Sequence, residues 1–371
     1  MSSKIEKLVS NLLNHSLGIK EGEKILIEML GTDCSDLACE LIKHAKEIGA
    51  IPVFNIIDYK VLKELLLNCS EEEIKAYAKY DLARMKDVDA YVGIRSANPK
   101  ELDGILKERM EIYNKYYQTP VHFEERVKNT KWCILRYPNE WLAKQAKMSL
   151  NEFTDFFYNV CTIDYDKMKE AMEPLKQLLS KTKNVHIIGP GTDLTFSVEG
   201  IPAEKYFGTY NIPDGEVASC PTKFSSNGYI TYNTETVYNG IIFNNIYLEL
   251  KCGKIIKAEA GNKTKELNEI LDTDEGARYI GEFALGLNPH VKNTMGDALF
   301  DEKIAGSFHF TPGTALEESD NGNRSNIHWD IVCIQTPEYG GGEIYFDDVL
   351  VRKDGKFVLE ELKPLNPENL I

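Results

Sequence analysis

Disulfide frameworks and zinc knuckles need paired or closely spaced cysteines, and this chain lacks them. Its eight cysteines, Cys34, Cys39, Cys69, Cys133, Cys161, Cys220, Cys252 and Cys333, are scattered without one Cys-x-x-Cys pair. That pattern is expected of reduced thiols at small core positions in a cytoplasmic protein. Positive charge is also short. Lys and Arg number 43 against 58 Asp and Glu, which leaves a formal net charge of −15 with no basic arm or arginine-rich stripe. Such a surface repels a phosphate backbone, which argues against nucleic acid as a partner. No apolar run approaches the ~20 residues of a membrane helix. The opening Met1-Ser2-Ser3-Lys4-Ile5-Glu6-Lys7 leads into Leu8–Asn14, which has polar interruptions and no small-residue cleavage site. Neither a membrane span nor a signal peptide is expected. Repeats and low-complexity tracts are missing as well, so nothing points to a solenoid or a disordered linker. What remains is 371 residues, 43% hydrophobic, enough for two packed domains.

The two halves read differently. In the first, Lys24–Met29 is a strand pattern followed by a helical one over Asp33–Ile48, with Leu37, Leu41, Ile42, Ala45 and Ile48 apolar and Gly49 closing it. Strand patterns recur at Ile51–Ile57, Ala90–Ile94 and Trp132–Leu135, with helical segments around 71–85, 99–116 and 139–160. This alternation predicts an α/β N-terminal domain with a mostly parallel sheet. Gly189-Pro190-Gly191-Thr192-Asp193 lacks the lysine and helix of a phosphate loop and reads as a plain turn. An amphipathic run over Tyr165–Leu179 closes the first half, and the boundary is drawn between residues 1–183 and 184–371. Strands then dominate, with a hairpin across Cys252-Gly253 and returning strands at Ile344–Phe346 and Val349–Val351. Thr273–Leu285 reads as a helix. The second domain is therefore expected to be α+β.

Histidine is scarce, seven in all, yet two stand at His309 and His328 with Asp330 close behind. If His328–Val332 is a strand, His328 and Asp330 share a face while Trp329 points away. An imidazole beside a carboxylate can bind a divalent metal, with His309 as a third ligand from the turn before Pro312-Gly313. On that tripeptide alone an ordinary His–Asp hydrogen bond explains the pattern more simply. Two carboxylates elsewhere are candidates to reach it. Glu216 follows a Pro-Asp-Gly turn and could lean into a cleft, or stay exposed. Glu282 lies among apolar residues and needs a partner, either Arg278 one helical turn back or a metal. Asp301-Glu302 precedes His309 and reads as a solvated charge pair or as part of the same site.

Together these positions resemble the thermophilic-type metalloaminopeptidases, the family of aminopeptidases T and S. The resemblance covers essentially the whole chain. It rests on Arg136-Tyr137-Pro138 with the Ala143–Phe153 segment, Asn211–Glu216, Gly281–Gly286, His309 and His328-Trp329-Asp330. It implies an α/β N-terminal domain, a metal-bearing C-terminal domain and homodimers that enclose their active sites. It further implies that Glu216, Glu282, His309, His328 and Asp330 bind two divalent metals, with zinc, cobalt or manganese suited to such donors. Glu302 matches the acidic residue ahead of the first histidine, at a spacing two residues longer than the family's, and is expected among the metal ligands too. Glu216 and Glu302 are the carboxylates expected to take part in catalysis.

The reaction implied is release of N-terminal amino acids from peptides by a metal-activated water. One position departs from the family: the tyrosine seven residues after the first histidine is Leu316 here, with Tyr339 or Tyr345 as possible substitutes. Related sequences of the same superfamily look like ring-cleaving dioxygenases with one iron held by two histidines and a carboxylate, for which His309, His328 and Asp330 would suffice. A non-catalytic family member is the third reading.

Overall fold

The computed structural model describes residues 2–371, and their contacts divide the chain into two units. The first runs to Thr162 and takes in Gly208–Ile212; the second comprises Ile163–Phe207 and Pro213–Ile371. The division falls one helix earlier than the 183/184 line drawn from sequence. Helix Tyr165–Lys181 therefore belongs to the second unit, where its Tyr165 hydroxyl accepts from the Asp214 amide at 3.2 Å.

In the first unit a five-stranded parallel sheet runs in the order Ile51–Ile57, Lys24–Leu30, Ala90–Arg95, Lys131–Arg136, Asn211–Ile212. Parallel neighbours require crossover connections, and the helices Ser35–Ile48 and Glu71–Asp87 supply them. The second of these starts at a reciprocal cap between Ser70 and Glu73. Helical residues Ile74, Ala78, Met85, Tyr117 and Val121 pack against Leu26, Tyr91 and Ile134 of the sheet. Ile25, Ile27, Val92, Cys133 and Leu135 alternate with these along the strands and are equally buried. Burial on both faces explains why the strands read as continuous apolar runs.

The second unit holds two antiparallel sheets and a short two-stranded ribbon, Thr236–Tyr238 with Ile241–Phe243. The larger sheet has eight strands and includes the expected hairpin, Tyr247–Lys251 with Lys254–Glu259, and the returning pair Glu343–Phe346 and Val349–Lys353. Gly189–Thr192 turns between two of its strands, as read from sequence. The smaller sheet runs Val332–Ile334, Ser307–Pro312, Ile280–Gly286, Glu216–Ser219, Glu204–Tyr206. Phe196 of the large sheet meets Phe283 and Phe310 of the small one at ring-centroid distances of 5.0 and 5.1 Å. The core therefore lies between the sheets, and the other face of the small sheet is left for chemistry.

Two local readings are corrected. Thr273–Leu285 is not a helix: a single turn over Glu275–Arg278 gives way to strand Ile280–Gly286. A short apolar run buried on both faces has no period that separates strand from helix, and pairing with two neighbours decided it. Arg278 accordingly pairs with Asp272 at 2.6 Å and not with Glu282. The strand expected over His328–Val332 starts at Val332, preceded by one bridge between His328 and Gly313. All eight cysteines are free, and six are buried. No helix among the described residues is long and apolar enough to cross a membrane.

Candidate metal centre

Register places the site residues on one face of the small sheet. Along the central strand, Glu282, Ala284 and Gly286 point the same way, since side chains alternate. Opposite them stand Thr311, His309 and Glu216 in turn: Thr311 pairs with Glu282, His309 with Ala284, and Glu216 with Gly286. The small residues Ala284 and Gly286 leave room between the larger groups. The register shifts between Ile280 and Glu282, a bulge of the kind that re-aims a side chain beside a functional site. A Cβ on Gly281 would lie 2.1 Å from the Thr314 carbonyl oxygen, so that backbone approach requires glycine.

The donor atoms converge as two sets, Glu216 with Glu282 and His309, and Glu282 with His328 and Asp330. Glu282 belongs to both. Its Oε1 lies 3.3 Å from His309 Nε2, and its Oε2 lies 3.1 Å from His328 Nε2. His328 Nε2 is also 3.2 Å from Asp330 Oδ1, and His309 Nε2 is 3.7 Å from Glu216 Oε2. The same-face placement of His328 and Asp330 survives the loss of the expected strand. His328 Nδ1 donates to the Thr314 carbonyl at 2.9 Å, which fixes the tautomer and leaves the Nε2 lone pair for a ligand. Asp330 Oδ1 accepts from the Thr311 hydroxyl at 2.8 Å.

Burial and mutual charge set the protonation states. Burial opposes the His309 imidazolium, but Glu282, Glu216 and Asp330 around it push its pKa up to about 9. His328 is raised in the same way by Asp330 and Glu282. Burial raises Glu216 to about 7, against the pull of Lys303 and His309. Burial also works on Glu282 and Asp330, yet hydrogen bonds and charge from the histidines hold both below the ordinary carboxylate range. Concentrated, displaced titrations of this kind mark functional sites.

The residues fit a metal. Two imidazoles and three carboxylates meet without a thiolate, a donor set for zinc, cobalt or manganese. Glu216 Oε2 is buried and accepts no hydrogen bond, an expensive state unless a cation completes it.

Glu302 stands outside both donor sets, its Oε1 accepting from Lys303 Nζ at 2.9 Å. Asp301 is buried, not solvated, and accepts from the amides of Met295 and Gly296 at 2.7 and 2.9 Å. Leu316 is half-buried. Tyr339 donates to Asn293 and Tyr345 to Glu343, so neither hydroxyl is turned to the ligands. Tyr206 and Tyr238 do interact electrostatically with them; Tyr206 stands opposite Glu216 in the sheet. Sequence reasoning also missed Lys303, buried with its Nζ 2.5 Å from Glu216 Oε1 and 3.3 Å from Asp214 Oδ1. Its signal was a lone lysine next to an acidic pair, which nothing local distinguishes from a surface cation.

Beside His328 and Asp330 opens a cavity of about 140 Å³, lined among others by Thr234, Tyr238, Thr294, Asp301 and Trp329. It is smaller than the ~300 Å³ at which drug-sized pockets begin.

An antiparallel sheet that gathers hard oxygen and imidazole donors, in a chain that also carries a parallel α/β unit, defines a candidate metalloenzyme. The profile of the thermophilic metalloprotease (M29) family matches residues 1–357, and the chain belongs to that family. It is similar to aminopeptidase PepS of Streptococcus thermophilus, 24% identical over 379 residues that cover 88% of this chain and 91% of that one. Aminopeptidase T of Thermus thermophilus is 24% identical over 360 residues, covering 86% and 87% of the two chains. The solved structure of wild-type AmpT from the same organism superposes with a TM-score of 0.81 at 20% identity, covering 96% of this chain and all of that one. The family is the one the sequence motifs resemble, and the two-part architecture is the expected one. Membership makes this chain a metal-dependent hydrolase of peptide bonds.

Proposed function

We propose that the chain is an aminopeptidase that releases N-terminal residues from peptides with two divalent cations. Glu216, Glu282 and His309 would hold one, and Glu282, His328 and Asp330 the other. The observation that carries this reading is the sharing of Glu282, whose two oxygens face two imidazoles. The similar proteins named above are aminopeptidases, which supports the choice of peptide ends as substrate. Two cations held by these residues would supply an ionised water and polarise the scissile carbonyl.

The chain's own groups do the remaining work. The cavity beside His328 accepts the first residue, and the Asp330 carboxylate that lines it favours the charged α-amino group. Burial raises the Glu302 carboxyl well above its ordinary pKa. Its Oε1 is engaged by Lys303, so Oε2 would be the atom to carry a proton to the leaving amine. Peptides are the partners of this reading, with a homodimer and a cytoplasmic location following from the family resemblance and the free thiols.

The test combines elemental analysis of metal-reconstituted protein with cleavage of aminoacyl anilides and their Nα-acetylated counterparts. We expect two metals per chain and cleavage of the free-amino substrates only. Filled sites with no cleavage, or equal cleavage of acetylated substrates, would overturn the proposal.

A further inference from the structure

Among the described residues Lys303 is the lysine amid the carboxylates of the site, and the two-cation reading does not use it. Its side chain is 2% exposed. An ammonium has three donors, and three carboxylates meet this one: Glu216 Oε1 at 2.5 Å, Glu302 Oε1 at 2.9 Å and Asp214 Oδ1 at 3.3 Å. The backbone at Lys303 is fixed too, its carbonyl accepting from the Asn288 amide at 2.8 Å and its amide donating to Phe300. Asn288 in turn donates its Nδ2 to the Asp214 carbonyl at 3.0 Å.

Two consequences follow. Glu216 has one oxygen committed to Lys303, so only Oε2, buried and without a hydrogen-bond donor, is left for a cation. The two donor sets are also electrically unlike. Around His328 and Asp330 the supporting partners are neutral, the Thr314 carbonyl and the Thr311 hydroxyl. On the Glu216 side stands a fixed positive charge. Repulsion in a buried setting is weakly screened, so a second cation there meets an opponent that the first does not.

We propose that Lys303 is a tethered competitor for metal: it ranks the two sites, leaving the Glu282/His328/Asp330 site tight and the Glu216/Glu282/His309 site weak. Lys303 is thus a positioning residue that acts through Glu216. The inference rests on the two-cation reading of the site. Charge supports it: Lys303 Nζ offsets part of the negative charge of Asp214, Glu216 and Glu302 that would otherwise attract a cation to Glu216. Without the ammonium that charge is uncompensated, and the second cation is drawn in more strongly.

The experiment is calorimetric titration of metal-stripped full-length chain with cobalt(II) alone, with visible absorption following each equivalent. We expect two equivalents in the unaltered protein, the second weaker. Lys303→Met should tighten the second by roughly 10- to 100-fold, the span seen when groups supporting metal ligands are changed, and leave the first within a few-fold. Lys303→Arg, which keeps the charge, should retain the weak second site. If Lys303→Met does not fold, Lys303→Gln, which keeps hydrogen-bond donors for the carboxylates while removing the charge, takes its place, and the same tightening is expected. A second equivalent that is unchanged or weaker without the lysine overturns the inference while two-metal binding stands. Binding of no cobalt by any of these proteins overturns the two-cation reading and this inference with it.

Discussion

Glu282 has two oxygens and each faces an imidazole, which makes it the residue whose loss cannot be compensated. Glu282→Gln keeps the shape and removes the charge. We expect both metal equivalents to vanish in elemental analysis and kcat/KM to fall by well over ~100-fold, more than changing an outer hydrogen-bond partner costs. Thr311→Val is the milder companion. It frees Asp330 Oδ1 from its hydroxyl donor and should weaken metal binding by roughly 10- to 100-fold without abolishing it. Protonation gives a third prediction. In metal-stripped protein the His309 pKa is raised from 6.5 to about 9. A raised pKa means the fold favours the protonated form, so the stabilisation is complete below pH 6.5 and is lost as pH climbs through 9. Glu216, raised to about 7, acts with the same sign. Thermal unfolding of the stripped protein should therefore show Tm falling from pH 6.5 to 9.5, with a shallower fall in His309→Gln. Metal must displace that proton, so apparent affinity should rise over the same window.

At the scale of elements, the strand Ile280–Gly286 does the positioning. Ala284 lies across from His309 on one side and Ala218 on the other, within the site's face. Ala284→Leu would push a branched side chain into that space. We expect a destabilisation of about 1–3 kcal/mol from overpacking together with loss of metal binding, checked by denaturant unfolding and by metal analysis of the folded fraction. This strand is also where sequence reasoning failed. Tyr279–Leu285 is apolar or glycine apart from Glu282, and its burial on both faces erases the alternation that would have announced a strand. The central parallel strands of the first unit, Lys24–Leu30, Ala90–Arg95 and Lys131–Arg136, were legible because helical patterns separate them. His328 and Asp330 were placed correctly as neighbours for an incomplete reason: they meet through one bridge and the irregular segment that follows it, not through a strand.

For the whole molecule, the donor sets lie entirely within the second unit. Metal should therefore stabilise that unit in proportion to RT ln(1 + [L]/Kd), about 2.7 kcal/mol at a hundredfold excess over Kd. In hydrogen exchange, adding a chelator should deprotect Glu216–Ser219, Ile280–Gly286 and Ser307–Pro312. The strands Lys24–Leu30 and Ala90–Arg95 of the first unit should be unaffected. Uniform deprotection of both units would show that the metal centre is not local in its effect.

The sequence by itself determined the candidates for the site and the class of the first unit. His309, His328, Asp330 and Glu282 were legible as candidate ligands, because scarce histidines and a glutamate among apolar residues stand out locally, while Glu216 joined them through the family resemblance. Alternation of strand and helix likewise fixes a parallel sheet, since both periods are short-range. Only the tertiary structure decided which donors meet, that Glu282 faces both imidazoles, and that Lys303 is an interior cation held by Asp214, Glu216 and Glu302. Those facts depend on strand register between segments far apart in the chain, and on burial, which turns a surface-like lysine into a charge that nothing screens.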